Sequence, residues 1–263
     1  MNPMPTRKPK GRMPEEVRFQ VGRLKGDVTA GKKAALWELS NLKHASAVPD
    51  VIKALKNPVT EVRSAAASTL GQIGDRRAVP HLIKLLQKEE EGSVRGTIAG
   101  ALATIRDPSA IPHLVNALQD EEHDVRIEAA AALGIMGRVS AIPSLANALK
   151  DRDYFVRMTA AEALGKIRHP SAIPPLSQAL EDKHSEVRKN ALWALRNIGR
   201  KIQGKKVEGK EAQALQLVGP YFQKYEEPKI VRKAYLAALE GKISEANARL
   251  YIKQLRALQG SLK

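Results

Sequence analysis

Between residues 44 and 200 the chain alternates short apolar windows with short polar joints, and the spacing inside each window is helical. Ile111, Leu114, Val115 and Leu118 fall at i, i+3, i+4 and i+7, one face of a helix. A second stripe follows in Val125, Ala129, Ala132, Leu133 and Met136. The joint between them reads DEEHD, and the matching joint one window later reads DRDYF. Ser109 stands where an N-cap is expected. Pro112 lies in the first turn, where its missing N–H has no intrahelical partner to lose. The pattern predicts a helical hairpin.

That hairpin recurs. Val-Arg is found at 62–63, 94–95, 125–126, 156–157, 187–188 and 231–232, the first five copies being 32, 31, 31 and 31 residues apart. Pro49, Pro80, Pro112, Pro143 and Pro174 keep the same beat. A fixed period of this length marks stacked repeats, because one helical hairpin cannot bury both of its faces alone. Gly71, Ala103, Gly134 and Gly165 share one register of the second helices, where small residues let neighbouring helices approach closely.

The Pro in the first helix, the acidic turn and the Val-Arg opening the second helix resemble HEAT repeats. They are most similar to the short variety found in phycobilisome lyase-type proteins. The resemblance covers residues 30–200, and 212–241 more loosely. It implies an all-α, right-handed α-solenoid (superhelix) of about six HEAT-like hairpins with terminal capping helices. In that family an Asp in the turn and an Arg six residues later form a ladder between successive repeats. The corresponding residues are Asp120 and Arg126, Asp151 and Arg157, Asp182 and Arg188, with Glu89 and Arg95, and Glu226 and Arg232, at the same spacing. Asn57 keeps only a hydrogen-bond acceptor for Arg63, so that rung is expected to be weaker. Partnered arginines are a structural ladder rather than a phosphate track.

The ends depart from the period. Residues 1–13, rich in Pro, Lys and Arg, are expected to be a disordered basic arm. Residues 14–43 read as N-terminal capping helices, the first with Val17, Val21 and Leu24 on one side and the second a half-repeat without Val-Arg. Five regular repeats fill 44–200. A basic flexible loop is expected over 201–211, and a degenerate repeat with a C-terminal capping helix over 212–263, the last helix capped by Ser244.

Composition narrows the chemistry. The 263 residues include no Cys, which excludes a disulfide framework, a thiolate nucleophile and a Cys metal site. No apolar stretch is long enough to span a bilayer. The basic N-terminus has no apolar core behind it, so it is not read as a secretory signal, and a cytoplasmic protein is expected. The net charge of +16 is unevenly placed: +6 in residues 1–43, +1 in 44–180 and +9 in 181–263. Charge of this size points to acidic partners or nucleic acid and says nothing about fold.

No catalytic, metal or cofactor site is expected. His81 and His113 share one slot of the first helices, and His44 and His169 share another between helices, which repeat descent explains. HEAT-like repeats also build deoxyhypusine hydroxylases, which bind iron through His-Glu dipeptides; no His here precedes Glu. Bilin lyases and alkylpurine DNA glycosylases use similar repeats and are the enzyme alternatives.

A binding protein should declare itself in the wall made by the second helices. Its exposed positions are expected one, five and nine residues after each Arg register. Trp37, Gly96, Gly100, Ile127, Ala131, Ile135, Met158, Glu162, Lys166, Lys189, Trp193 and Lys233 fall there and form the candidate groove; Asn197 and Ala237 occupy the same rows. An apolar centre with Met, Ile and Trp suits a peptide or helix of a protein partner. Two Trp five repeats apart are too sparse for base stacking along a strand. Nucleic acid would instead meet the basic ends, namely Arg7, Lys8, Lys10, Arg12, Arg200, Lys201, Lys205, Lys206 and Lys210. The expectation is therefore a monomeric, non-enzymatic scaffold with a protein partner and no membrane role, the alternative being a non-sequence-specific RNA-, DNA- or ribosome-binding protein.

Overall fold

The structure is a computed structural model that describes residues 13–202, 209–210, 213–214, 228–241 and 252–253. The chain forms two compact units, residues 1–107 and 108–263. No strand occurs among the described residues.

The first unit holds α1 (Glu15–Leu24), α2 (Thr29–Leu42), α3 (Val48–Ala54), α4 (Thr60–Ile73), α5 (Val79–Leu86) and α6 (Gly92–Ile105). Helices α2, α4 and α6 pack side by side as one row, with α3 and α5 each packed on the second helix of its own hairpin. Helix α1 packs on α2 and α3, so it takes the first-helix place and residues 15–42 form a hairpin without the Val-Arg and its acidic partner. The second unit repeats the scheme with α7 (Ile111–Ala117), α8 (His123–Met136), α9 (Ile142–Ala148), α10 (Tyr154–Ile167), α11 (Ile173–Ala179) and α12 (Ser185–Ile202). Here α8, α10 and α12 form the row, and a further helix, Pro228–Leu239, packs on α12.

The hairpins owe their form to a few residue types. First helices are short and carry Pro at the first turn, as at Pro49, Pro80, Pro112, Pro143 and Pro174, where proline is preorganised for the helix. Ser109 does not cap α7: it lies inside a 3₁₀ turn, Pro108–Ala110, that precedes the helix. Equivalent 3₁₀ turns are capped by side chains one place earlier, by His44, Asp75 and His169, each accepting from the backbone N–H two residues on. The coincident His44 and His169 are thus capping residues, joined by Asp75 in the same slot.

Second helices α4, α6, α8 and α10 end at a residue in the left-handed conformation whose N–H closes on the carbonyl four residues back. Glycine occupies that place at Gly74 (φ 74°) and Gly137 (φ 66°); Arg106 and Arg168 occupy it elsewhere. The core is the apolar stripe of each second helix: Val62, Ala66 and Leu70 in α4, Val125, Ala129 and Leu133 in α8, Val156, Ala160 and Leu164 in α10 are fully buried. Leu82, Leu114, Leu145 and Leu176 close it from the first helices.

The small register does what its spacing suggested. A Cβ added to Gly71 would lie 2.8 Å from the Cα of Ala101, one on Gly134 2.8 Å from the Cα of Ala163, and one on Gly165 2.8 Å from the Cα of Ala194. At these three glycines neighbouring second helices therefore touch through backbone, with no room for a methyl group.

Candidate functional site

The Arg of each Val-Arg lies at the start of a second helix, beside the turn that enters it. Arg126 donates from Nε and Nη2 to the two carboxylate oxygens of Asp151, at 2.8 and 2.9 Å. Its Nη1 donates to the carbonyls of Asp120 and Glu121, at 2.8 and 3.0 Å. Arg157 repeats the arrangement with Asp182 at 2.7 and 3.0 Å and the carbonyls of Asp151 and Arg152. Arg63 does so with Glu89 at 2.8 and 2.7 Å and the carbonyls of Asn57 and Pro58. The pairing expected within a repeat is thereby corrected: the acid six residues before an Arg gives it a backbone carbonyl, and the carboxylate comes from the next repeat, 25 or 26 residues on. The Arg63 rung is consequently not weak, because Asn57 was never its ionic partner. Glu226 lies outside the described residues, and Arg232 pairs with Glu181.

Each acid does a second job. Asp120, Asp151 and Asp182 accept through Oδ1 from the N–H two residues on, and Glu89 does so through Oε1. Asn57 makes the same turn to Val59. These contacts set the charges. The hydrogen bond from Arg63 holds the Glu89 carboxyl below the usual range despite its burial. For Asp151 and Asp182 burial pushes upward, but the Arg126 and Arg157 forks with the backbone N–H bonds outweigh it, and both are lowered.

The ladder accounts for these arginines, and the residues expected on the second-helix wall fall as follows. In the second unit Ile127, Ala131 and Met158 are half-buried, and Ile135 and Trp193 are each 41% exposed, on the adjacent helices α8, α10 and α12. Trp193 lies over Gly165, its Cζ3 being 2.7 Å from where a Cβ there would be. Glu162 and Lys166 form an ion pair at 2.9 Å, and Lys189 pairs with Glu186 at 2.8 Å. Two of the lysines along this wall are thus already neutralised. Lys233 is exposed on the Pro228–Leu239 helix.

Three positions depart from the expected exposed rows: Gly96 of the first unit, which is buried in α6, and Asn197 and Ala237. Asn197 and Ala237 are buried, in keeping with the packing of Pro228–Leu239 on α12. In the first unit Trp37 is 64% exposed, Gly96 is buried and Gly100 half-buried.

Of the basic ends, Arg200 and Lys201 sit in the last turn of α12, and Lys201 and Lys210 are exposed, as is Arg200. Arg7, Lys8, Lys10, Arg12, Lys205 and Lys206 lie outside the described residues, as does the cap at Ser244. Among the described residues no three His, Asp or Glu side chains gather as metal ligands, and no helix is long and apolar enough to cross a membrane.

Sequence reasoning missed one contact on this side. Tyr154 stacks on His184 with ring centroids 3.7 Å apart, joining two successive turns beside the Arg157 rung. Their 30-residue separation, one repeat less one residue, was the available signal.

Stacked hairpins, tied within each unit by Arg forks along their turns, define an α-helical repeat solenoid. The profile described as HEAT repeats matches residues 23–103, 79–165 and 142–240, and the chain belongs to that family. Among solved structures it is similar to the complex of CpcE and CpcF of phycocyanin lyase from Nostoc sp. PCC7120, at 24% identity and TM-score 0.54, covering 90% of this chain and 100% of that one. An engineered protein matches at 24% identity and TM-score 0.56, covering 90% and 72%. A designed armadillo repeat protein in complex with the peptide (KR)4 matches at 20% identity and TM-score 0.52, covering 70% and 99%. These likenesses concern the fold. No curated protein matches the sequence.

Proposed function

We propose that the protein is a non-enzymatic scaffold that holds a peptide or helix of a protein partner on the second-helix wall of residues 123–200. The observation that carries this reading is the part-exposed apolar stripe of Ile127, Ala131, Ile135, Met158 and Trp193, bordered by ion pairs rather than by unpaired lysines. Such a surface suits an apolar helix face with a Trp anchor. The repeat fold supports the reading in a general way, since stacked hairpins present extended binding surfaces. A second reading, nucleic-acid binding through the basic ends, has in its favour the +9 carried by residues 181–263.

One experiment separates them. The tagged chain is purified from its own cells with and without nuclease, and the recovered partner is titrated against Trp193→Ala and Ile127→Glu. Each substitution is expected to weaken binding about thirtyfold, the effect of losing an anchor of about 2 kcal/mol, with helicity and melting temperature retained. Full affinity in both folded variants removes the wall from consideration. A partner lost on nuclease treatment, with affinity falling steeply in salt, moves the function to the basic ends.

A further inference from the structure

The first-helix side of the first unit carries a feature that repeat descent does not explain. A cavity of about 340 Å³ opens between α3 and α5. Its floor is Ile52, Leu55 and Leu85, and its rim is Lys56, Lys84 and Lys88, with His81 beside them. No acidic residue lines it. All three lysines are exposed, and among the described residues none of them makes an ion pair, whereas Lys53 nearby is held by Asp50 at 2.9 Å.

Comparing repeats shows that the groove is built by departures from the pattern. With the first helices aligned on their Pro, the place of Leu85 holds Ala54, Ala117, Ala148 and Ala179. The place of Lys84 holds Asn116, Asn147 and Gln178 in the second unit; the repeat of Lys84 has one extra residue before its ladder acid, and counted back from that acid the place of Lys88 holds Gln119, Lys150 and Glu181. Lysine near a helix C-terminus offsets the macrodipole, but α7 and α11 close without one. Nor does packing call for Leu85, which stays half-exposed.

We propose that this groove docks an acidic, leucine-bearing peptide segment of a protein partner. Charge complementarity names the sign of the occupant, and the apolar floor requires aliphatic side chains. Lys84 lies in α5, Lys56 and Lys88 follow the ends of α3 and α5, and Lys84 and Lys88 are four residues apart. Several spaced carboxylates match that distribution, where a single anionic headgroup would meet only part of it. The volume lies at the lower end of ligand-sized pockets, about 300–1,000 Å³, and accommodates a few side chains rather than a whole domain. The groove does not depend on the second-helix wall.

The test uses the full chain and a fluorescein-labelled peptide alternating Glu and Leu, read by fluorescence anisotropy, with circular dichroism to confirm folding. Lys84→Glu with Lys88→Glu is expected to weaken binding at least tenfold. Lys150→Glu with Lys183→Glu, the same charge change on exposed lysines of the second unit, is expected to alter it less than twofold. Leu85→Ala, which restores the residue usual at that place, should cost at least threefold, and Trp193→Ala nothing. Absent binding, equal losses in the two charge-reversed pairs, or equal binding of a Gln and Leu peptide would overturn the proposal. So would tighter attachment to phosphatidylserine vesicles than to the peptide, lost in the Lys84 and Lys88 variant, because the groove would then belong to a membrane surface.

Discussion

Single residues decide how each second helix ends. Gly74 and Gly137 take a left-handed conformation that costs a residue with a Cβ about 1–2 kcal/mol. Arg106 and Arg168 adopt the same conformation and bear that cost. A Cβ on Gly74 would meet nothing within 4 Å, so substitution there reads backbone strain without a steric clash. Gly74→Ala is expected to destabilise the protein by about 1 kcal/mol. Arg168→Gly should stabilise it by a few tenths to about 1 kcal/mol, the relief of strain being partly offset by glycine's unfolded-state entropy. Urea midpoints of the two variants, which must move in opposite directions, check both. Glycine at the small register behaves differently. Gly71, Gly134 and Gly165 stand against backbone of the adjacent helix, and their role is close approach rather than conformation.

At the scale of elements, the Arg ladder joins one turn to the next. Arg157 makes four hydrogen bonds through one planar fork: two to the Asp182 carboxylate and two to carbonyls of its own turn. Lysine keeps the charge but cannot reach both turns at once. Arg157→Lys is expected to cost about 2–4 kcal/mol, approaching the loss of a buried pair, because Arg157 is 5% exposed and Asp182 would keep only its turn hydrogen bond. A urea midpoint that moves by less than the equivalent of about 0.5 kcal/mol would reduce the ladder to a surface ion pair. The sequence revealed the hairpins themselves because period, Pro and Val-Arg are all local signals. It misassigned the ladder because two acids lie at comparable reach of each Arg, one six residues before and one 25 after, and spacing along a chain does not tell them apart. The cavity between α3 and α5 was illegible for a similar reason: Lys84 and Leu85 look like ordinary helix residues until the neighbouring helix places Ile52 and Lys56 across from them.

At the scale of the molecule, charge and ladder respond to the same variable, pH, and salt separates them. Glu89, Asp151 and Asp182 have carboxyls held below their ordinary range in the fold. A depressed folded pKa contributes stability that is complete above the unfolded value, about 4, and is lost as pH falls through the folded one. Stability should therefore be flat from pH 7 to about 5 and fall below about 4. Protonating the 28 Asp and Glu also leaves 44 Lys and Arg unopposed, so self-repulsion grows over the same window. The two causes differ in screening: exposed charges repel less in salt, whereas a part-buried fork is shielded far less. Raising salt to about 0.5 M, where the Debye length is only a few Å, should recover the repulsive share and leave the ladder's share. Asp182→Asn removes one depressed carboxyl, so its stability should start lower at neutral pH and fall with a shallower slope between pH 5 and 2. Urea unfolding of wild type and Asp182→Asn at these pH values, at low and high salt, distinguishes the terms. Identical slopes in the two proteins at high salt would mean that acid unfolding is driven by net charge and that the ladder's carboxylates titrate as they do in the unfolded chain.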